Sequence, residues 1–440
     1  WGAWLITIAT YFFSNNMGTS AQFGAIFGTL ALSSLFMPAL TGIIADKFID
    51  AEKLYGILHI LYGGFLFIVP QASSAGSLYW VIFGAMICYM PTISLSNSIA
   101  YTILKREGYD VVKVFPPIRV WGTIGFIVAM WATNLTGSKA NANQFVIGGA
   151  AAILLGLFSF TLPKCPPQKT VAKGAGLVEQ LGLQAFKLFG QYKMALFFLF
   201  SMLLGGALQL TNAYGDTFLD DFKKVPAFGP EAFVVKYSTI ILSISQMSET
   251  LFILTIPFFL RRFGIKNVML FSMIAWVIRF GLFAYGDPET NLWMIIVSCI
   301  VYGMAFDFFN ISGSLFVETT TPPIIRSSAQ GLFMMMTNGL GAFLGSRISG
   351  WVIDKYYTVR FTNLNDLLGS LKTDINNPAV KEIMKLNPVQ NGVFKETVLI
   401  KQWQSIWLAF AGYALVVAVL FFIFFRHKHD PKELESTTPH

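Results

Sequence analysis

The strongest constraint on the fold is a run of apolar residues from Leu292 to Phe316 that holds an aspartate near its centre. This run is longer than the roughly 20 residues that a helix needs to cross the hydrocarbon core of a bilayer. It predicts a membrane span with Asp307 near the midplane. A charge at this depth costs about 2.5 to 3.5 kcal/mol on insertion scales, so it usually faces a wet cavity and belongs to a transport path.

Composition extends this prediction to the whole chain. Of the 440 residues, 55% are hydrophobic and 12% are charged, whereas soluble domains carry about 25% charged residues. We interpret the chain as a polytopic membrane protein surrounded by lipid. The net charge of +8 does not indicate nucleic-acid binding, because the basic residues lie in short loops between apolar runs. The three cysteines form no CxxC pair and there is no histidine cluster, so we predict no disulfide framework, metal site or cofactor.

Twelve spans are predicted, and an even number places both termini on one side of the membrane. They cover about residues 1–14, 21–45, 54–71, 78–104, 117–135, 144–162, 193–215, 233–260, 265–285, 291–317, 328–353 and 402–426. No cleavable signal peptide is visible, and the first span starts at residue 1, so we expect the natural chain to begin earlier. The loops after even-numbered spans and the tail hold most of the basic residues of the short connections, which predicts cytoplasmic termini.

A basic connection with several prolines separates six predicted spans from six. The expected segments are an N-terminal half at 1–162, a cytoplasmic linker at 163–192, a C-terminal half at 193–426 and a cytoplasmic tail at 427–440. We predict that the halves are related, because PPIRVWGTIGF at Pro116–Phe126 is similar to PPIIRSSAQGLF at Pro322–Phe333. Each fragment opens the fifth span of its half, and proline suits a helix start. Parallel six-span repeats with a binding site between them are typical of the major facilitator superfamily.

Few polar side chains remain inside the predicted spans, and each needs a partner or water. Gln246 and Glu249 share one face of span eight, while Tyr302, Phe306 and Asn310 share a stripe of span ten. Amides and carboxylates can bind hydroxyl groups, and ring faces can stack on a flat ring. A ribonucleoside fits both demands. A sugar would use the same groups, so these residue types alone leave a sugar symporter open.

Two further function classes fit less well. An intramembrane aspartyl protease needs two catalytic aspartates in dedicated motifs, and Asp307 lacks the Gly-x-Gly-Asp context. A channel needs a ring of like groups, which the two halves do not repeat. Arg279 and Arg347 are interpreted as packing residues, and His59 as a packed core residue. We therefore predict a secondary transporter and not an enzyme.

Proton coupling is assigned to the carboxylates of the predicted spans. Asp307 is given the main coupling role and Glu249 mainly substrate binding, with a share in coupling. A carboxylate takes up and releases a proton when its surroundings change. Our hypothesis is that Arg119 approaches Asp307 in only one conformation.

Four segments resemble the nucleoside:proton symporter family of the major facilitator superfamily. They are FPPIRVWGTIGF at Phe115–Phe126, LQLTN at Leu208–Asn212, SISQMSETLFILTIPFF at Ser243–Phe259 and AFDFFNISGS at Ala305–Ser314. GIIADK at Gly42–Lys47 is also similar to the Gly-x-x-x-Asp-Arg loop motif of the superfamily, with Lys47 in place of arginine.

The resemblance implies an all-α fold of twelve transmembrane helices in the inner membrane. It implies uptake of a nucleoside with a proton, by a protein that works as a monomer. Substrate-binding roles fall on Arg119, Thr123, Phe126, Gln209, Asn212, Gln246, Glu249, Tyr302, Phe306 and Asn310, and proton coupling on Asp307 and Glu249. Ala207 stands where relatives are expected to carry an acidic residue, and Asn363–Glu396 enlarges the last external loop. The preference for purine or pyrimidine is left open.

Overall fold

Long apolar helices dominate the computed structural model, which describes residues 1–109, 111–167, 183–322 and 325–427. The α-helices are α1 (Ile8–Ser14), α2 (Ser20–Lys47), α3 (Ala51–Ile68), α4 (Ala75–Arg106), α5 (Val111–Leu135), α6 (Asn143–Ser159), α7 (Tyr192–Asp221), α8 (Phe233–Lys236), α9 (Ser238–Tyr285), α10 (Leu292–Thr320), α11 (Arg326–Met334), α12 (Ala342–Tyr356), α13 (Leu364–Leu371), α14 (Pro378–Leu386) and α15 (Trp403–Phe424). A π-helix at Met335–Gly341 joins α11 to α12. The strands are β1 (Thr358–Asn363), β2 (Val389–Gln390) and β3 (Val393–Lys401).

Eight helices are long and apolar enough to cross a membrane, and Asn143–Ser159 is a shorter apolar helix. The predicted helical membrane architecture is therefore confirmed, while the number of twelve spans stays a prediction. One of the eight, α9, covers two predicted spans. It bends at Gly264, whose φ of 75° favours glycine because no Cβ is present to clash.

Parts of three predictions lie outside the described residues. They are the central part of the linker at 168–182, most of the tail at 428–440, and Pro323 with the residue after it. The side chains of Asp46, Lys47, Pro116 and Pro117 are likewise outside the described part. The backbone does show that α5 begins at Val111, six residues before the predicted start of span five.

The end of α7 differs from the prediction. This helix runs to Asp221, beyond the predicted limit at residue 215, and its last turns are buried. The last turns hold three buried aspartates, and their burial is possible because each has polar partners. They are Asp216, Asp220 and Asp221. Asp216 accepts hydrogen bonds from Thr10 and Thr239 at 2.6 and 2.9 Å, and the other two form ion pairs with lysines.

Small residues bring the helices of span eleven close to their neighbours. A Cβ added at Gly345 on α12 would overlap the backbone of Gly206 on α7. A Cβ at Gly24 on α2 would overlap Ser346 and Gly350 on α12. Such small-residue contacts let helix backbones approach closely in membranes. Gly345 and Gly350 of span eleven are therefore packing residues.

A small α/β subdomain between α12 and α15 adds a sheet to the helical bundle. Residues 358–401 form a three-stranded antiparallel sheet in the order β1-β3-β2, together with α13 and α14. Its own apolar core consists of Phe361, Leu364, Leu367, Val380, Ile383, Phe394 and Val398. The enlarged loop seen in the sequence is thus a folded unit.

The N-terminal segment, residues 1–167, and the C-terminal segment, residues 183–427, are bonded to each other at one end of the bundle. The Tyr214 hydroxyl on α7 donates to the backbone oxygen of Ser20 at 3.2 Å. The Trp131 indole on α5 donates to the Ser243 hydroxyl on α9 at 2.8 Å. The α/β subdomain lies at the same end, where Asn16 donates to the backbone oxygen of Leu386 at 3.0 Å. We call this end the closed end.

Candidate functional site

Two carboxylates of the C-terminal segment lie on adjacent, tightly packed helices. Glu249 is on α9 and Asp307 is on α10. These helices approach closely at Gly303, where a Cβ would overlap the backbone of Ser248. The Ser248 hydroxyl donates to the backbone oxygen of Ile300, which fixes the same contact. The close packing brings Glu249 and Asp307 within electrostatic range of each other.

Asp307 is a buried carboxylate with an unused oxygen. Its side chain is 4% exposed, and Oδ2 has no hydrogen-bond partner among the described residues. Buried polar atoms are normally paired, so an orphan oxygen needs an explanation such as a proton, a water or a ligand. Glu249, by contrast, is only half-buried.

Arg119 lies on the opposite side of the site. It is exposed on α5, and its charge acts both on Glu249 of the C-terminal segment and on Tyr89 of α4. Arg119 of the N-terminal segment is therefore within electrostatic range of Glu249 of the C-terminal segment. In this conformation Arg119 acts electrostatically on Glu249. Asp307 is affected by the charge of Glu249. The hypothesis of an approach to Asp307 stays a prediction about another conformation.

The two predicted stacking rings differ in their surroundings. Tyr302 is 4% exposed. Its ring lies parallel to Phe306, with centroids 5.9 Å apart and an interplanar angle of 4°. The guanidinium of Arg279 lies 4.6 Å from the Tyr302 ring centroid. The ring that remains half-exposed is that of Phe306.

Phe306 lines a small recess of about 20 Å³ between α7, α9, α10 and the π-helix. Its walls are Leu204, Gly205, Leu208, Trp276, Ala305, Phe306, Phe309, Asn310, Thr337 and Asn338. Small-molecule sites usually measure about 300 to 1,000 Å³, so in this conformation the recess by itself is too small to enclose a ligand. Asn310 donates to the backbone oxygen of Phe306 at 3.2 Å, which leaves its amide oxygen for other partners.

The remaining predicted site residues lie around this centre with less definite contacts. Gln209 and Asn212 on α7 are half-buried, next to Leu208 of the recess. Thr123 and Phe126 on α5 are also half-buried. The backbone of Phe126 lies directly against Gly2, so this part of α5 is fixed by the first residues of the chain.

The sequence analysis left Thr337 and Asn338 out of the site. Both belong to the π-helix, and the half-buried Asn338 lines the recess. A π-helix is rare and frequently marks a functional site. The available signal was the sequence TNGLG at Thr337–Gly341, in which polar residues and glycines interrupt an apolar helix.

Comparison with known proteins decides the family. A family model described as "Nucleoside H+ symporter" matches residues 1–430. This chain belongs to the nucleoside H+ symporter family. The symporter is 46% identical to the xanthosine permease of Escherichia coli strain K12 over 436 residues, which are 99% of this chain and 94% of that protein. It is also 46% identical to the nucleoside permease NupG of the same strain over 430 residues, which are 98% of this chain and 93% of that protein.

Solved structures confirm the fold of this symporter. A crystal structure of the nucleoside transporter NupG matches with a TM-score of 0.82 and 46% identity, covering 97% of this chain and 96% of that one. A D-xylose-proton symporter matches with a TM-score of 0.61 at 15% identity, which shows a shared fold alone. The predicted major facilitator fold is therefore confirmed, and so are the predictions of a transporter rather than an enzyme and of a membrane location.

Proposed function

We propose that this symporter imports nucleosides together with protons by alternating access, with the nucleoside bound between an N-terminal half at 1–162 and a C-terminal half at 193–426. One observation carries this proposal: Arg119 of one half is within electrostatic range of Glu249 of the other, and Glu249 in turn is within range of Asp307, which has an orphan oxygen and follows the half-exposed Phe306. Residues of both halves thus surround one polar and aromatic centre. Because one chain supplies the residues on both sides of the site, a monomer is sufficient for transport.

The substrate contacts follow from the surroundings of each group. Phe306 offers the half-exposed ring face for the base. The Tyr302 ring lies parallel to that of Phe306, and the Arg279 guanidinium lies over the Tyr302 ring. Base stacking on an aromatic ring is worth about 1 to 3 kcal/mol in other systems. Glu249 and Gln246 supply acceptors for ribose hydroxyls from one face of α9.

The amides around the recess complete the proposed substrate set. Gln209, Asn212 and Asn310 lie on the C-terminal side, and we assign them to polar atoms of the base or the ribose. Arg119, Thr123 and Phe126 supply the N-terminal side. Asn338 of the π-helix joins the set because it lines the same recess.

Asp307 carries the coupled proton in this proposal. Its buried oxygen has no partner among the described residues, so a proton there removes an uncompensated charge. Glu249 is within electrostatic range of both Arg119 and Asp307, so it can transmit the approach of the arginine or of a substrate to the buried carboxylate. The membrane potential contributes about 2.3 kcal/mol per charge per 100 mV to the driving force.

The closed end is the outer end in this proposal, so the symporter is in an inward-facing conformation. The distribution of basic residues supports this orientation, because the loops at the opposite end are the more basic ones. Both termini are then cytoplasmic, in the inner membrane.

The test is binding and uptake in proteoliposomes. Uridine, adenosine and xanthosine should compete with labelled nucleoside, whereas glucose, xylose and maltose should not, and an inwardly directed proton gradient should drive accumulation. Competition by a sugar with no competition by any nucleoside would favour a sugar:proton symporter. Accumulation that is indifferent to the gradient would reject proton coupling.

A further inference from the structure

The helix that carries Gln246 and Glu249 begins without a cap from its own flanking residues. The first four N–H groups of a helix lack partners within the helix and usually receive a bond from the preceding side chain. At the start of α9 the preceding residue is Tyr237, which makes no side-chain cap bond. The chain also turns here, because α8 ends at Lys236 and α9 starts at Ser238.

The missing cap comes from the other half of the molecule. Asn134, in the last turn of α5, accepts a hydrogen bond at Oδ1 from the backbone N–H of Thr239 at 3.1 Å. Its Nδ2 donates to the backbone oxygen of Lys236 at 2.7 Å. A single amide thus bridges the turn between α8 and α9 from across the interface of the halves.

Lys139 holds the same turn from the loop between α5 and α6. Its ammonium donates to the backbone oxygen of Val235 at 2.5 Å and to the Ser238 hydroxyl at 3.0 Å. It also forms an ion pair with Asp220 at 2.9 Å, in which the side chains are 14% and 6% exposed. A cation is favourable at the C-terminal carbonyls of a helix such as α8. Charge-assisted hydrogen bonds of this kind are stronger than neutral ones.

We propose that Asn134 and Lys139 are positioning residues that hold the start of α9 only while this end of the transporter is closed. Opening the closed end separates the halves, so it must break both sets of bonds and release the turn at 235–239. The helix that binds substrate through Gln246 and Glu249 is then free to shift at its start. Closure of this end and the geometry of the site are coupled through one helix, an inference that rests on the proposed alternating access.

The test measures how readily the closed end opens, without any nucleoside. Thr217 is 2% exposed and lies 3.5 Å from Thr10 of the other half, hydroxyl to hydroxyl. A single cysteine there, with the three native cysteines replaced by alanine, reports opening through its reaction with a membrane-impermeant maleimide. We expect Asn134→Ala and Lys139→Met to raise the labelling rate about three- to tenfold, because each removes bonds that exist only in the closed state.

Matched controls come from the same loops. Asn141→Ala removes an amide whose side-chain bonds stay within residues 137–143. Lys236→Met removes a lysine that pairs with Glu231 of its own half. Neither control should change the labelling rate. Lys139→Arg should restore slow labelling, and Asn134→Asp, which keeps the acceptor for Thr239, should label at an intermediate rate and serves if the alanine variant does not fold.

Labelling of Asn134→Ala and Lys139→Met at the rate of their controls would overturn the proposal. Because labelling needs no substrate, this result is separate from a failure of the parent protein to bind nucleosides, which would reject the proposed function instead. A second readout is nucleoside affinity from the open side. It should fall in Asn134→Ala and stay unchanged in Asn141→Ala. An equal affinity in both variants would show that the bonds at the start of α9 do not affect the binding site.

Discussion

Buried carboxylates of the closed end and of the substrate centre differ in how completely they are partnered. At the closed end, Asp216 accepts from two threonine hydroxyls and Asp220 pairs with two lysines. At the centre, one oxygen of Asp307 has no partner in the described ranges, and Glu249 is within electrostatic range of Arg119. Satisfied polar networks rigidify a structure, while unsatisfied ones are costly and are kept for function. Buried carboxylates thus join the halves at the closed end, whereas at the centre they are the groups that we propose for binding the proton and the substrate.

The largest effect is expected from neutralising the unpartnered carboxylate. Asp307→Asn keeps the shape but removes the proton site, so accumulation driven by a proton gradient should be lost while exchange of labelled for unlabelled nucleoside continues. Both rates are measured in the same proteoliposomes. Because this carboxylate has an orphan oxygen, thermal stability should not fall. Full accumulation by the variant would move the coupling site to Glu249 or elsewhere.

The partnered carboxylate should show the opposite pattern. Asp220→Asn leaves Lys139 and Lys223 without their carboxylate, and breaking a buried ion pair costs about 3 to 5 kcal/mol. We expect a clear fall in the thermal unfolding temperature in detergent. Any transport that remains should still be driven by the proton gradient. A double variant with Lys139→Met should lose less than the sum of the two single variants, since both act on one network. Additive losses would show that Lys139 and Asp220 do not interact.

A smaller loss of affinity is expected from the aromatic part of the centre. Phe306→Leu removes the half-exposed ring face, so uridine binding should weaken by about 1 to 3 kcal/mol, the usual worth of stacking a base on a ring. Binding is measured by titration calorimetry on purified protein. Phe308→Leu is the control, because that ring packs against Phe252 and Phe259 instead of the recess. Equal affinity in the parent and Phe306→Leu would reject stacking on this ring.

The same comparison explains how far the sequence predicted the structure. An isolated Asp307 in a long apolar run is conspicuous, so the helical membrane fold and a buried polar position on this helix were predictable. The acidic end of α7 was predicted to lie beyond span seven, because its burial also depends on Lys139 and Lys401, which are distant in sequence, and not on the neighbouring Lys223 and Lys224 alone. The Arg279 guanidinium lies over the Tyr302 ring because α9 packs against α10. Helical spacing alone does not predict this contact.

The smallest expected effect concerns Lys401, a buried cation of the α/β subdomain. Its ammonium is 3.5 Å from the ring centroid of Phe13 and 3.8 Å from the carboxylate of Asp221, with 1% of its side chain exposed. Burial lowers the pKa of Lys401 to about 8, although Asp221 favours the charged form. Between this pH and the ordinary lysine pKa of about 10.4, the unfolded chain binds a proton that the folded chain lacks. Stability from this group therefore rises with pH across that window.

Lys401→Met should remove this contribution while leaving Asp221 paired with Lys224 at 2.7 Å and bonded to the Trp403 indole at 3.0 Å. Replacing a buried charge by an apolar side chain is often neutral or stabilising, so at pH 7 we expect the unfolding temperature to stay equal or rise slightly. Between pH 8 and 10 the variant should gain less stability than the parent. The measurement is thermal unfolding in detergent at several pH values, with the exposed Lys381→Met as the control. A parent-like pH profile in Lys401→Met would assign the titration to another group and leave Lys401 a packing residue over Phe13.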